Sequence, residues 1–192
     1  MRVAVWAMTI GSLALAACSQ GNGTTGVGGV DAARIIAAAP AQWLSTGRTY
    51  DEQRFSPLTA INQDTIGRLG LDWFADLDTN RGQEATPLFI DGVLYVSTAW
   101  SMVKAYDART GKLLWSFDPA VPRETLVKAC CDAVNRGVAA WGNKIFVGTL
   151  DGRLIAIDRA TGKAVWSVVT LDQSKNYTIT GAPRVVNGMV II

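Results

Sequence analysis

The sequence predicts an all-β fold, an incomplete β-propeller of four-stranded antiparallel blades, and two observations support this. First, AYDARTGKLLW at 105–115 recurs as AIDRATGKAVW at 156–166, an offset of 51 residues. Second, each unit contains short β-branched and aromatic runs separated by turn residues, the pattern of strands joined by hairpins. A period of about 40–50 residues built from such strands is typical of propeller blades.

The strands of one unit can be placed in order. TPLFIDGVLYVST at 86–98 predicts two strands joined by an Asp-Gly turn. MVKAYDARTGKLLWSF at 102–117 predicts two more around a turn at Thr110-Gly111. The offset of 51 aligns VLYV at 93–96 with KIFV at 144–147, so a second blade follows the first.

Partial units flank these two blades. APRVVNGMVII at 182–192 begins a third copy, and LGLDW at 69–73 resembles the tail of an earlier unit. Trp115 and Trp166 end the last strand of their units, which predicts that each packs blade against blade. Because propellers need about four to eight blades, we expect this chain to be the N-terminal part of a longer protein.

The region before the blades has its own pattern. DAARIIAAAPAQW at 31–43 predicts a short helix that Asp31 caps and that ends before Pro40. Residues 1–18 have one cation, Arg2, and an apolar run that is too short for a membrane span and predicts an export signal. Residues 19–30 are rich in Gly, Ser and Thr and predict a flexible linker, so the blades occupy 31–192.

The end of the signal leaves two alternatives. Leu15-Ala16-Ala17-Cys18 resembles a bacterial lipoprotein cleavage box, which would make Cys18 the lipidated first residue of a membrane-anchored protein. An ordinary signal peptide cleaved among the same small residues is the alternative. Both predict a periplasmic location, where disulfides persist.

Composition excludes several classes of function. The net charge is +2 with no basic run, so nothing favours nucleic acid binding. There is no histidine, which excludes histidine-based triads, histidine zinc sites and histidine-ligated haem within these 192 residues. No residue is assigned a catalytic or metal-binding role.

The adjacent cysteines Cys130 and Cys131 are the most unusual feature. They could pair with distant cysteines, bind a metal or bond to each other. If Cys18 carries lipid, no other cysteine remains, so a bond between the two is the leading interpretation. Such a bond closes no long loop and removes little unfolded-state entropy, so a functional site explains it better than stability does.

Five stretches resemble one family, the quinoprotein alcohol dehydrogenases that use pyrroloquinoline quinone (PQQ), which include quinohaemoprotein and methanol or ethanol dehydrogenases. The stretches are GRTYDEQRFSPLTAIN, RGQEATPLFIDGVLYVST, ACCDAVNRG, GTLDGRLIAIDRATGKAVW and YTITGAPRVVNG. The resemblance covers about 31–192 and implies an eight-bladed propeller with PQQ on its axis.

The resemblance also implies a cofactor site. It implies that Cys130 and Cys131 form a disulfide that packs on one face of PQQ, where polarisable sulfur suits an aromatic face. Glu84, Arg136 and Thr180 would contact the cofactor, with Arg136 directed at its carboxylates. The alternatives are a solvated turn residue, a surface ion pair and an ordinary strand threonine, respectively.

The implied activity is oxidation of primary or related alcohols to aldehydes, with electrons passed to a cytochrome or a membrane quinone. The family's calcium ligands and catalytic base are expected downstream of this chain. The alternative function is that of a cofactor-free propeller lipoprotein that acts as a scaffold in outer-membrane protein assembly. The cysteine pair, together with Glu84, Arg136 and Thr180, favours the enzyme over the scaffold.

Overall fold

The computed structural model describes residues 28–192. The predicted export signal, Cys18 and most of the predicted linker therefore lie outside the described residues. Among the residues that are described, no helix has the length and apolar character needed to cross a membrane.

The predicted N-terminal helix is confirmed as α1, Ala32–Ala37. The Asp31 carboxylate accepts a hydrogen bond of 2.8 Å from the backbone N–H of Arg34, which satisfies one of the unpaired donors of the first turn. The helix ends at Ala37, and the left-handed backbone of Ala38 (φ 48°) then turns the chain two residues before Pro40. Ile35 buries the inner face of the helix in the core.

Two four-stranded antiparallel sheets confirm the predicted blades, and every strand pairs with its neighbour in the sequence. The first blade contains β1 (Leu88–Ile90), β2 (Val93–Ser97), β3 (Val103–Asp107) and β4 (Leu113–Phe117). The second contains β5 (Ala139–Trp141), β6 (Lys144–Gly148), β7 (Arg153–Asp158) and β8 (Ala164–Val169). A hairpin of β9 (Arg184–Val186) and β10 (Met189–Ile191) confirms the start of the third copy.

The hairpin turns form where turn residues were predicted. Asp91 and Gly92 have φ of 51° and 83°, the left-handed backbone that a two-residue hairpin turn requires. At the β3–β4 turn the Asp107 carboxylate accepts from the backbone N–H of Thr110 at 2.8 Å and from its hydroxyl at 2.7 Å. These two bonds hold the pKa of Asp107 below its usual value.

Trp115 packs one blade on the next, as predicted. Its indole Nε1 donates to the carbonyl of Arg159 at 3.1 Å, and its ring covers Gly162 so closely that a Cβ there would lie 2.6 Å from the ring. Trp166 is 39% exposed and contacts Phe146 of its own blade at 5.8 Å between ring centroids. The second blade therefore repeats the intrablade stacking of the first, where Trp115 lies 5.8 Å from Tyr95.

The predicted earlier unit is present only in part. Residues 69–73 form no strand, but Trp73 donates to the carbonyl of Ala108 at 2.9 Å and covers Gly111. Trp73 thus makes the same contact with the first blade that Trp115 makes with the second. A strand needs a hydrogen-bonded neighbour, and none of the described strands pairs with this segment.

A buried arginine ties the N-terminal segment to both blades. Arg159 is 1% exposed, donates to the carbonyl of Gly28 at 2.8 Å and lies 3.4 Å from the Asp91 carboxylate. Arg34 pairs with the same carboxylate at 2.7 Å. One aspartate in the β1–β2 turn therefore pairs with a cation of the helix and with a cation of the second blade.

Candidate functional site

Three of the predicted site residues meet in the structure. Arg136 lies 3.0 Å from a carboxylate oxygen of Glu84 and donates to the hydroxyl of Thr180 at 2.5 Å. The side chains of Arg136 and Glu84 remain 46% and 41% exposed, so both can still reach a ligand. The three residues come from segments that precede β1, β5 and β9, and the fold alone brings them together.

The backbone around Arg136 is fixed on both sides. Its N–H donates to the carbonyl of Thr180 at 2.8 Å, and its carbonyl accepts from the N–H of Thr86 at 3.2 Å. The preceding residue, Asn135, is buried and donates to the carbonyl of Gly148 at 2.9 Å while it accepts from the N–H of Gly137 at 3.1 Å. A buried amide with both ends satisfied holds this turn rigidly, although nothing in the sequence around Asn135 predicted this role.

The cysteine pair lies a few residues earlier on the same loop. Cys130 and Cys131 are joined by a disulfide, with Cα atoms 3.8 Å apart. Asp132 follows with φ of 77° and forms an ion pair with Arg81. In the described part of the chain, no hydrogen bond or ion pair joins either cysteine directly to Glu84, Arg136 or Thr180.

A cavity of about 580 Å³ opens beside the cluster. Glu84 and Arg136 line it, together with Gly181 and Ala182, which follow Thr180. Neither cysteine is among the residues that line it.

Two further arginines, Arg54 and Arg184, line the same cavity and were not predicted from the sequence. Arg184 forms an ion pair with Glu52, and its hydrogen bond holds the pKa of the Glu52 carboxyl below the usual range. Arg54 makes no ion pair within residues 28–192. Thr46, 5% exposed, also lines the cavity, and its hydroxyl has no hydrogen-bond partner there. Arg184 could have been predicted as a site residue from its position directly after TGAP, the stretch that begins with the predicted site residue Thr180.

This arrangement suits an anionic ligand. The cavity is lined by the arginines Arg54, Arg136 and Arg184 and by the carboxylates Glu52 and Glu84, which leaves one net positive charge, and arginine forks match carboxylates well. The donor set therefore fits PQQ, which carries three carboxylates. The described residues contain no group of three or more histidine, cysteine or acidic side chains that could hold a metal ion.

The fold and the site together define a class of protein. Residues 43–192 match the family model described as PQQ: Glucose/ethanol/alcohol dehydrogenase, beta-propeller domain. The match covers most of the chain, and the chain belongs to this family.

The individual proteins to which the chain is similar are alcohol dehydrogenases. The chain is 61% identical over 166 residues to quinohemoprotein alcohol dehydrogenase ADH IIB of Pseudomonas putida, covering 85% of this chain and 24% of the relative. It is 55% identical over 156 residues to 1-butanol dehydrogenase (cytochrome c) of Thauera butanivorans, covering 81% and 23%. The solved structure of quinohemoprotein alcohol dehydrogenase ADHIIG from Pseudomonas putida HK5 superposes with a TM-score of 0.83 at 56% identity, covering 85% and 25%. The chain thus spans about a quarter of the length of the curated relatives it matches.

Proposed function

We propose that the complete protein is a PQQ-dependent alcohol dehydrogenase that oxidises primary or related alcohols to aldehydes. The observation that carries the proposal is the convergence of Glu84, Arg136 and Thr180 beside one cavity, in a chain of the PQQ family. These residues lie on three separate segments, and a scaffold without a cofactor has no use for their convergence. The cysteine pair on the Arg136 loop supports the same proposal.

Each residue has a role that follows from its chemistry. Arg136 offers a planar pair of donors to a carboxylate of the cofactor, and its bond to Thr180 sets the plane of the guanidinium. The Thr180 hydroxyl can donate to the ligand while its oxygen accepts from Arg136. Glu84 neutralises Arg136 before the ligand binds and keeps the fork oriented. The disulfide supplies a flat, polarisable surface for one face of the quinone.

When bound, the quinone accepts the two electrons and the hydrogen that leave the alcohol carbon. This chain supplies binding and orientation, and we assign no proton transfer to its residues. We propose that calcium and the carboxylate base that takes the hydroxyl proton are held by residues outside this chain. The Thauera butanivorans relative is named for cytochrome c, which supports a cytochrome as electron acceptor here, with a membrane quinone as the alternative.

The apolar N-terminal run and the Leu15-Ala16-Ala17-Cys18 box support a periplasmic location. We extend the proposal to lipidation of Cys18, which would anchor the enzyme to a membrane. Intact-mass analysis of the mature protein distinguishes a diacylated Cys18 from an unmodified N-terminus.

The test of the proposed activity is a titration of the complete apo-protein with PQQ, followed by dye-linked alcohol oxidation with calcium present. Arg136→Ala should raise the dissociation constant for PQQ about ten- to hundred-fold, the loss expected for a charge-assisted hydrogen bond. The matched control is Arg109→Ala, which removes an exposed arginine in the β3–β4 turn, outside the cavity. A parent protein that binds no PQQ and oxidises no alcohol would refute the proposed function.

A further inference from the structure

Two short segments that carry the site residues Glu84 and Arg136 run side by side. Thr86 and Gly137 form a parallel bridge, so residues 81–86 and 132–137 run in the same direction. Two ion pairs of opposite sense join these segments. Arg81 pairs with Asp132, and three residues later Glu84 pairs with Arg136.

The second ion pair belongs to the site described above, but the first lies at the cysteine end. Asp132 directly follows Cys131, and Arg81 is its ion-pair partner. The two side chains are 36% and 35% exposed. An isolated pair at that exposure contributes little to global stability, so the pair calls for a local explanation.

Trp100 adds a second contact to the same loop. The guanidinium of Arg81 lies 5.2 Å from the centroid of the Trp100 ring, within the range of a cation–π interaction. The backbone N–H of Trp100 donates to the carbonyl of Ala133 at 2.8 Å, two residues beyond Cys131. Trp100 also packs against the buried cluster that contains Ala133 and Leu150. Arg81 and Trp100 therefore hold the loop after the disulfide by side chain and by backbone.

The backbone at these contacts has an uncommon conformation. Trp100, Ser101 and Asp132 have φ of 64°, 59° and 77°, in the left-handed region that few residues other than glycine adopt. Such conformations persist only where surrounding contacts hold them, and they concentrate at functional sites. The Ser101 hydroxyl accepts from the N–H of Leu150 at 3.1 Å, which accounts for one of the three. The ion pair with Arg81 holds Asp132, and the hydrogen bond to Ala133 holds the backbone of Trp100, whose ring contacts both Arg81 and Arg123.

We propose that Arg81 and Trp100 are positioning residues for the Cys130–Cys131 disulfide: Arg81, paired with Asp132 and stacked on Trp100, fixes the direction in which the disulfide ring faces the cofactor. The proposal rests on the proposed function, because the ring matters only if a planar ligand packs on it. Neither residue needs to touch that ligand.

The first experiment uses the complete apo-protein and needs no cofactor. Reduction of the disulfide by a phosphine is followed by alkylation and mass spectrometry over time. Arg81→Gln and Asp132→Asn each break the ion pair, and asparagine tolerates the left-handed backbone as well as aspartate does. Arg81→Gln removes the ion pair and the cation–π contact and should speed reduction about three- to ten-fold. Asp132→Asn removes the ion pair alone and should speed reduction about two- to five-fold.

The double variant Arg81→Gln/Asp132→Asn tests whether the two residues act as one unit. It should be reduced no more than about two-fold faster than Arg81→Gln alone, because Arg81→Gln already breaks the shared ion pair. The control is Arg123→Gln, because Arg123 also stacks on Trp100, at 4.0 Å, but has no ion pair to the cysteine loop. Arg123→Gln should stay within about two-fold of the parent rate, because it leaves the Arg81–Asp132 ion pair and the hydrogen bond from Trp100 to Ala133 in place.

The second experiment is the PQQ titration of the same variants, with thermal unfolding as a check. Arg81→Gln should raise the dissociation constant about three- to ten-fold with little change in unfolding temperature, and Arg81→Lys should recover part of the affinity. Trp100→Phe keeps a ring for stacking and should be milder than Trp100→Leu.

The proposal would be overturned if the single variants kept both a reduction rate and a dissociation constant for PQQ within about two-fold of the parent values. Fully additive effects in the double variant, or faster reduction with unchanged PQQ affinity, would also overturn it. If the parent itself binds no PQQ, the proposed function fails. The reduction rates then still decide whether the Arg81–Asp132 ion pair holds the cysteine loop.

Discussion

Gly162→Ala tests how the blades pack. Gly162 has φ of +71°, and a Cβ at this position would lie 2.6 Å from the Trp115 ring. Real Cβ atoms do not approach an aromatic ring so closely, and the ring is held by its bond to the carbonyl of Arg159. The substitution should therefore force Trp115 away from the second blade and separate the two blades locally.

The expected cost has two parts. An alanine in the left-handed region costs about 1–2 kcal/mol. Overpacking against a fixed ring adds about 1–3 kcal/mol, so the total loss should be about 2–5 kcal/mol. Gly92→Ala is the matched control, because Gly92 has φ of +83° with no atom within 4 Å of the added Cβ. The control should lose only the backbone part, about 1–2 kcal/mol.

The assay is urea unfolding of the complete protein, followed by far-ultraviolet circular dichroism. The difference between the two glycine variants isolates the contact with Trp115. Adding Trp115→Leu to Gly162→Ala should cost less than the two single changes summed, because the overlap disappears with the ring. Equal losses for Gly162→Ala and Gly92→Ala would refute the claim that this tryptophan docks one blade on the next.

Three further predictions concern the site and the core. Arg136→Lys should recover only part of the PQQ affinity lost in Arg136→Ala, since lysine lacks the planar fork, and equal affinities of the two variants would contradict this role of the fork. Glu84→Gln should bind PQQ at least as tightly as the parent but oxidise alcohol more slowly. The unreduced peptide that contains Cys130 and Cys131 should have the mass of a disulfide, two hydrogens below the dithiol, and two free thiols in mature exported protein would show the pairing to be wrong. Burial raises the pKa of Tyr95 to about 12 from 10.0, so its contribution to stability is present below pH 10 and is lost as pH rises through about 12. Tyr95→Phe should therefore lose less stability than the parent across that interval in urea unfolding, and identical losses would count against the buried phenol.

The strands and turns were predictable because their signals are local. The β-branched runs around Asp91-Gly92 and Thr110-Gly111 specify hairpins without help from distant residues. The segment 69–73 carries the same kind of signal but forms no strand, since strand formation also needs a partner edge. The tryptophan contact at the end of that segment was predictable even so, because it depends on Gly111 in the adjacent turn.

The site residues were predictable only in part. Glu84, Arg136 and Thr180 follow from the family resemblance, and nothing in their local sequence separates them from ordinary surface residues. Arg136 does form a half-exposed ion pair, which was the alternative to a cofactor contact, and its partner Glu84 is another predicted site residue. Asn135 escaped prediction because a buried amide is recognisable only from its partners, which lie at Gly137 and Gly148.

The ion pair between Arg81 and Asp132 could have been predicted from the sequence repeat. Arg81 and Asp132 are 51 residues apart, the same offset that aligns the two blades, and so are the bridged residues Thr86 and Gly137. Equivalent positions of consecutive blades thus lie side by side on these inner segments. Opposite charges at equivalent positions therefore predict a contact between neighbouring blades, whereas like charges would predict repulsion. The repeat offset identifies spatial neighbours as well as equivalent residues, which is why a charge difference between two copies of a repeat can indicate where the copies touch.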